Sequence, residues 1–235
     1  MYRLSLLVLL LLVPVLAVMA ASKPDLPGFL DDHFKKRHEE ILQRLSKGQV
    51  RLVFFGDSIM EDWSGPGQGI WSKYYAPLGA VNFGIRGNTT EFVRWRIANG
   101  ELDGISPRVL ILLIGTNNIF ASADGIYQGA TWIVRYIHAK LPKTKILILG
   151  IFPRGADPKD PYVAGMRVKI KAVNGALALL ENGKDIRYLD IGDKLIGADG
   201  KIPADIMPDG LHLSVKGYRI WADTMAPLLD VMLNY

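Results

Sequence analysis

The sequence predicts an α/β fold: a three-layer α/β/α sandwich around a five-stranded parallel sheet. Two observations carry this. Short apolar runs recur along the chain, and most of them stop at a glycine. Between them lie longer segments whose apolar residues return every three or four positions, the spacing of one helix face. The runs are apolar almost throughout rather than at every second residue, as expected of parallel strands covered on both faces.

His33 to Leu45 reads as an amphipathic N-terminal helix. Val50 to Phe55 (VRLVFF) is the first strand and stops at Gly56. A short helix follows, then a Gly/Pro-rich loop flanked by Trp63 and Trp71. Ala80 to Phe83 is the second strand, stopping at Gly84. Asn88, with Glu91 three residues on, resembles a capping arrangement for a helix running to about Ala98. Val109 to Ile114 (VLILLI) is the third strand and stops at Gly115. Ile126, Ala130, Ile133 and Ile137 mark the next helix. Ile146 to Leu149 is the fourth strand, stopping at Gly150. Val163, Met166, Ile170, Val173, Leu177 and Leu180 form one buried helix stripe, and Ile186 to Leu189 is a weaker fifth strand. Ser214 caps the last helix, whose inner face carries Tyr218, Trp221, Met225 and Leu228, and Pro227 should bend or shorten it.

Composition bounds the chemistry. The chain has 235 residues, 49% hydrophobic and 22% charged, with a net charge of +5 and no cysteine. Those fractions exclude global disorder and collagen-like repeats. The missing cysteine removes disulfides, thiolate metal sites, iron–sulfur clusters and a thiol nucleophile. No basic block accompanies the modest positive charge, so nucleic acid is not indicated.

Residues 1–22 (MYRLSLLVLLLLVPVLAVMAAS) have the anatomy of a cleaved secretory signal. Arg3 provides the positive start, Leu4 to Val18 the apolar core, and Ala20, Ala21 and Ser22 the small residues of a cleavage site. The apolar run is shorter than the roughly 20 residues of a membrane span, and Pro14 interrupts it. Residues 23–235 are then expected to form a single domain, secreted or periplasmic, with no stable membrane anchor after cleavage.

In a parallel α/β sheet, ligands sit beyond the carboxyl ends of the strands. The turns there carry a pattern: Gly56-Asp57-Ser58, Asn82-Phe83-Gly84, Gly115-Thr116-Asn117-Asn118, and Asp209-Gly210-Leu211-His212 before the last helix. Together they supply what acyl transfer requires. Ser58 is the candidate nucleophile, and its hydroxyl needs a base. His212 can be that base, because imidazoles titrate near neutrality; activity should then fall below about pH 6.5. Asp209, three residues earlier, can fix the ring's tautomer. The backbone N–H groups of Ser58 and Gly84 and the side-chain amide of Asn117 are candidate oxyanion donors.

On these residues the chain resembles the SGNH, or GDSL-type, serine hydrolases. The family's four letters fall on Ser58, Gly84, Asn117 and His212. The stretch from Asn82 to Ile119 (NFGIRGNTTEFVRWRIANGELDGISPRVLILLIGTNNI) more specifically resembles the catalytic subunits of intracellular platelet-activating-factor acetylhydrolases and their bacterial relatives. The resemblance implies a flavodoxin-like sheet, a mechanism with no metal or other cofactor, and short, often acetyl, acyl groups. Asn118 departs from the Asp that many members carry there. The expected activity is an exported acetylesterase acting on small-molecule or carbohydrate esters. Lipid or aryl short-chain esters are the alternative, and a non-catalytic binding protein on the same fold is a third reading. A homodimer is one assembly open to it.

Other residues have competing readings. Asp57 reads as a turn-stabilising carboxylate bonded to backbone. His33 and His38 are five apart and do not share a helix face, so they do not form a metal site. His138 is expected at a solvated helix end. Trp63, Trp71 and Arg86 are candidate substrate contacts; alternatively, the tryptophans pin their loop to the core.

Overall fold

The computed structural model describes residues 31–46, 48 and 50–234. The expected signal segment, residues 1–22, lies outside the described residues. Among the described residues, no helix is long and apolar enough to cross a membrane.

The elements follow in the order α1 (Asp32–Leu45), β1 (Leu52–Gly56), α2 (Ser58–Glu61), α3 (Gln68–Tyr74), β2 (Ala80–Gly84), α4 (Thr90–Ala98), β3 (Val109–Leu113), α5 (Ala123–Lys140), β4 (Lys145–Leu149), α6 (Pro161–Ala178), β5 (Ile186–Leu189) and α7 (Val215–Asn234). The five strands form one sheet in the order β2-β1-β3-β4-β5, and every pairing is parallel. Gly56, the last residue of β1, lies opposite Gly84 of β2 and Leu113 of β3.

Alternate residues of the central strands feed two separate cores. Val53, Phe55, Leu110 and Leu112 face α1, α4, α5 and α6, burying Phe34, Val93, Ile133 and Val173. Leu52, Phe54, Ile111 and Leu113 face α2, α3 and α7, burying Ile59, Ile70, Trp221 and Met225. Both strand faces are buried, which is why these runs are apolar without alternation.

Several helices start at a side-chain cap. The Asp31 carboxylate accepts the Phe34 N–H, Ser122 Oγ that of Gly125, and Asp160 those of Tyr162 and Val163, with Pro161 at the first helical position. Ser214 Oγ accepts from Gly217 at 3.2 Å, as expected of the α7 cap. Three sequence expectations need correction. Asn88 does not cap α4. Thr89 is the cap position and makes no side-chain cap bond; the Thr90 N–H instead donates to Asn118 Oδ1 at 2.9 Å, and Asn118 Nδ2 donates to Glu91. The Gly/Pro-rich loop between Trp63 and Trp71 holds a helix, α3, whose Ile70 is buried. Pro227 does not cut α7 short: the helix runs on to Asn234.

Candidate active site

The strand order reverses at β1, since β2 leads to one side of it and β3 to the other. Such a switch point opens a crevice beyond the carboxyl ends of the strands. The segments that follow β1 and β3 there are Asp57-Ser58 and Gly115 to Asn118.

Asp57 is the N-cap of α2, and its Oδ1 accepts the Ile59 N–H at 3.0 Å. The expected turn-stabilising role is what the structure shows. Ser58 is the first helical residue, so its N–H has no acceptor within the helix. Ser58 is 3% exposed. His212 reaches it across 154 residues, with Nε2 at 3.0 Å from Oγ. The other ring nitrogen, Nδ1, lies 2.7 Å from Asp209 Oδ2. An ionised carboxylate only accepts, so Nδ1 carries the proton and Nε2 is left as an acceptor for the Ser58 hydroxyl.

The Asp209–His212 unit is locally built. Asp209 Oδ1 also accepts the N–H groups of Leu211 and His212, at 2.9 and 2.7 Å. Gly210 has φ +71°, and its carbonyl accepts the Gly155 N–H at 2.8 Å, which ties this turn to the loop after β4. Burial pushes the Asp209 pKa up. The hydrogen bonds from the His212 ring and from the two N–H groups outweigh it and hold the carboxyl at about 2. Asp57 behaves oppositely. Complete burial raises its pKa to about 7, although the Ile59 N–H, His212 and Arg154 all act to lower it.

The oxyanion candidates separate. Asn117 Nδ2 donates to the Asn88 carbonyl at 2.9 Å. An amide nitrogen carries two hydrogens, so one remains. Gly84 is a correction. Its N–H is taken by Asn82 Oδ1 at 2.8 Å. A Cβ at this glycine would fall on the Glu61 backbone, so it is glycine because β2 and α2 touch there. Gly87, three residues on, is exposed with φ +77° and open space around its Cα. Its N–H has no hydrogen-bond partner among the described residues. It precedes Asn88, whose carbonyl anchors Asn117. The segment contains two glycines, and the side chain of Asn82 and the backbone of Glu61 decide between them.

The aromatic candidates also move. Trp63 is fully buried, packed on Phe54, Tyr75, Tyr218 and Trp221. It cannot touch a substrate in this form, so the loop-pinning reading replaces the substrate one. Trp71 is half-buried and packs against Phe54 and Tyr75 in the same cluster. Arg86 is exposed, next to Gly87. Its guanidinium is 2.5 Å from Asp62, and its N–H donates to Glu61.

Sequence reasoning missed two cations. Arg154, in the loop after β4, donates to the Thr116 carbonyl at 2.9 Å and so braces the turn that carries Asn117. Arg96 is wholly buried. A lone arginine in a turn or helix gives no local sign of either role. His33 contacts Glu61 and His38 contacts Glu101. His138 is half-buried rather than solvated, and its Nδ1 lacks a hydrogen-bond partner.

An apolar groove of about 480 Å³, with Tyr75, Leu78 and Leu229 in its wall, lies away from this chemistry. Its Arg51 and Arg108 directly precede β1 and β3, at the opposite end of the sheet.

The GDSL-like lipase/acylhydrolase family matches residues 54–220. The rat (Rattus norvegicus) platelet-activating factor acetylhydrolase IB subunit alpha2 is 34% identical over 222 residues, covering 93% of this chain and 90% of the relative. Two solved structures share the fold. A GDSL-like lipase from Bacteroides thetaiotaomicron superposes with a TM-score of 0.67 at 18% identity, over 83% of this chain and 97% of the other. An acetylxylan esterase from Geobacillus stearothermophilus gives 0.58 at 20% identity, over 80% and 96%. The match spans the sheet and the turns beyond its carboxyl ends, and on it this chain belongs to the GDSL-like lipase/acylhydrolase family of carboxylic ester hydrolases.

Proposed function

We propose that the protein hydrolyses short-chain, chiefly acetyl, O-esters through a Ser58–His212–Asp209 triad and an acyl-enzyme. The observation that carries this is the unbroken chain from Ser58 Oγ through both His212 nitrogens to Asp209, at 3.0 and 2.7 Å. Ser58 Oγ attacks the ester carbonyl while His212 Nε2 takes its proton. The negative charge that develops on the carbonyl oxygen is met by the free N–H of Ser58, the side-chain amide of Asn117 and, in place of Gly84, the N–H of Gly87. Losing one such donor typically lowers the rate about 10²–10³-fold. The intermediate collapses, His212 returns the proton to the leaving alcohol, and the acyl group stays on Ser58. Water then attacks, with His212 again taking a proton and later restoring it to Ser58. Asp209 holds the imidazole in the required tautomer throughout.

The relative named an acetylhydrolase supports the short acyl group. The alcohol is proposed to be a carbohydrate, in keeping with the secretory reading of residues 1–22 and a single domain over 23–235. A lipid alcohol is the second reading, favoured by the name of the same relative.

Ser58→Ala should abolish p-nitrophenyl acetate hydrolysis while leaving circular dichroism unchanged; activity above a few per cent of the parent rejects Ser58 as nucleophile. A panel of acetylated xylan, acetylated monosaccharides and an sn-2 acetyl phospholipid separates the two alcohols. Turnover confined to the phospholipid overturns the carbohydrate reading.

A further inference from the structure

We infer that Arg96 is a positioning residue for ester hydrolysis, clasping the nucleophile turn and the oxyanion loop to one buried guanidinium. The inference rests on the roles proposed above for Ser58 and Asn117.

Arg96 lies on α4 and is 0% exposed, as is its partner Glu101. Its guanidinium lies 4.6 Å from the Phe55 ring centroid. All of its donors are engaged. Nε and Nη2 face the Glu101 carboxylate, at 2.9 and 2.7 Å. Nη1 donates to the Gly56 carbonyl at 3.2 Å and to Asn88 Oδ1 at 3.0 Å. Nη2 also donates to the Phe83 carbonyl at 2.5 Å. Glu101 in turn meets His38 Nδ1 at 2.6 Å, which fixes the carboxylate against α1.

The three acceptors outside the ion pair belong to the site. Gly56 closes β1 two residues before Ser58. Phe83 is the next-to-last residue of β2, where the chain turns toward Gly87. Asn88 holds Asn117 through its own carbonyl. A planar fork with fixed donor directions therefore sets the spacing between the nucleophile and two of the proposed oxyanion donors. A pair serving only to neutralise charge would need no contact with these loops, and a buried ion pair adds little stability over apolar residues of similar size. By contrast, a misplacement of about 1 Å at a reacting centre can cost about 10²-fold in rate.

Two variants test this. Arg96→Lys keeps the charge toward Glu101 but cannot reproduce the fork. Asn88→Ala keeps the whole ion pair and removes only the link to the oxyanion loop, so it stands as the test if Arg96→Lys fails to fold. Each is assayed well below its own melting temperature with p-nitrophenyl acetate. The expected result is a fall in kcat of about 10–100-fold with KM within about threefold. A merely structural role lowers the melting temperature and leaves kcat in place. Asn117→Ala is then combined with Asn88→Ala. If Asn88 acts through Asn117, the double variant is no slower than Asn117→Ala alone. Full kcat in a folded Asn88→Ala enzyme overturns the inference. Full kcat in Asn117→Ala overturns the oxyanion reading itself, whatever Asn88→Ala does.

Discussion

Asp57→Asn should stabilise the protein by an amount that grows with pH. The Asp57 carboxyl is fully buried. One oxygen accepts the Ile59 N–H, and the other has no hydrogen-bond partner. Burial lifts its pKa from 3.8 to about 7 in the folded protein, against about 3.9 in an unfolded chain. Between those values the native state keeps a proton that the unfolded state has released. The unfolding free energy then falls by about 1.4 kcal/mol per pH unit, or about 4 kcal/mol across the window. The contribution is whole below about pH 4 and is lost as pH rises through about 7. Asparagine has the same shape, still accepts from Ile59, and never ionises.

The measurement is urea unfolding of both proteins at several values between pH 4 and 7.5, with each slope m fitted. Groups that do not interact with Asp57 are common to the two and cancel in the difference; His212, which does, is replaced in both proteins by a non-titrating residue. Asp209, held at about 2, acts in a separate window. Its contribution is present above about pH 4 and is lost as pH falls through 2. The stability difference between Asp57→Asn and the parent should grow by about 4 kcal/mol from the acid to the neutral end. Growth of less than about 1 kcal/mol would show that the native carboxyl ionises normally, and the argument from burial would be refuted.

Three further outcomes follow from the same geometry. Asp209→Asn should lower kcat about 10³–10⁴-fold with little change in KM, as expected when an amide no longer selects the imidazole tautomer; a loss below tenfold, by steady-state kinetics, counts against the triad. Asn118→Ala should cost about 1 kcal/mol in thermal or urea unfolding, because it strips the start of α4 of its cap; an unchanged stability rejects the cross-loop cap. Trp63→Phe should lower stability by about 1–3 kcal/mol through the space it opens beside Phe54 and Trp221, while KM for p-nitrophenyl acetate stays within about twofold. A selective rise in KM would return Trp63 to the substrate site.

The positions of the central strands along the chain were legible in the amino-acid sequence, because parallel strands buried on both faces are apolar at nearly every position; their order in the sheet, β2-β1-β3-β4-β5, was not. Ser58, Asp209 and His212 were legible for a related reason. Ser58 stands at the end of such a run, and the Asp209-to-His212 spacing lets one short turn hold the carboxylate against the ring. Both signals are local, so they survive without knowledge of the fold. The choice between Gly84 and Gly87 was not local. Asn82 reaches forward to take the Gly84 N–H, and the Glu61 backbone fills the space beside it. Trp63 carried no mark distinguishing a rim residue from a core one until Tyr218 and Trp221 of α7 closed over it. Nothing in the amino-acid sequence marks Arg96 and Glu101 as a pair. The junction of β1, β2 and α4 made that pair a buried clasp, because a charge loses its water only where elements distant in sequence converge.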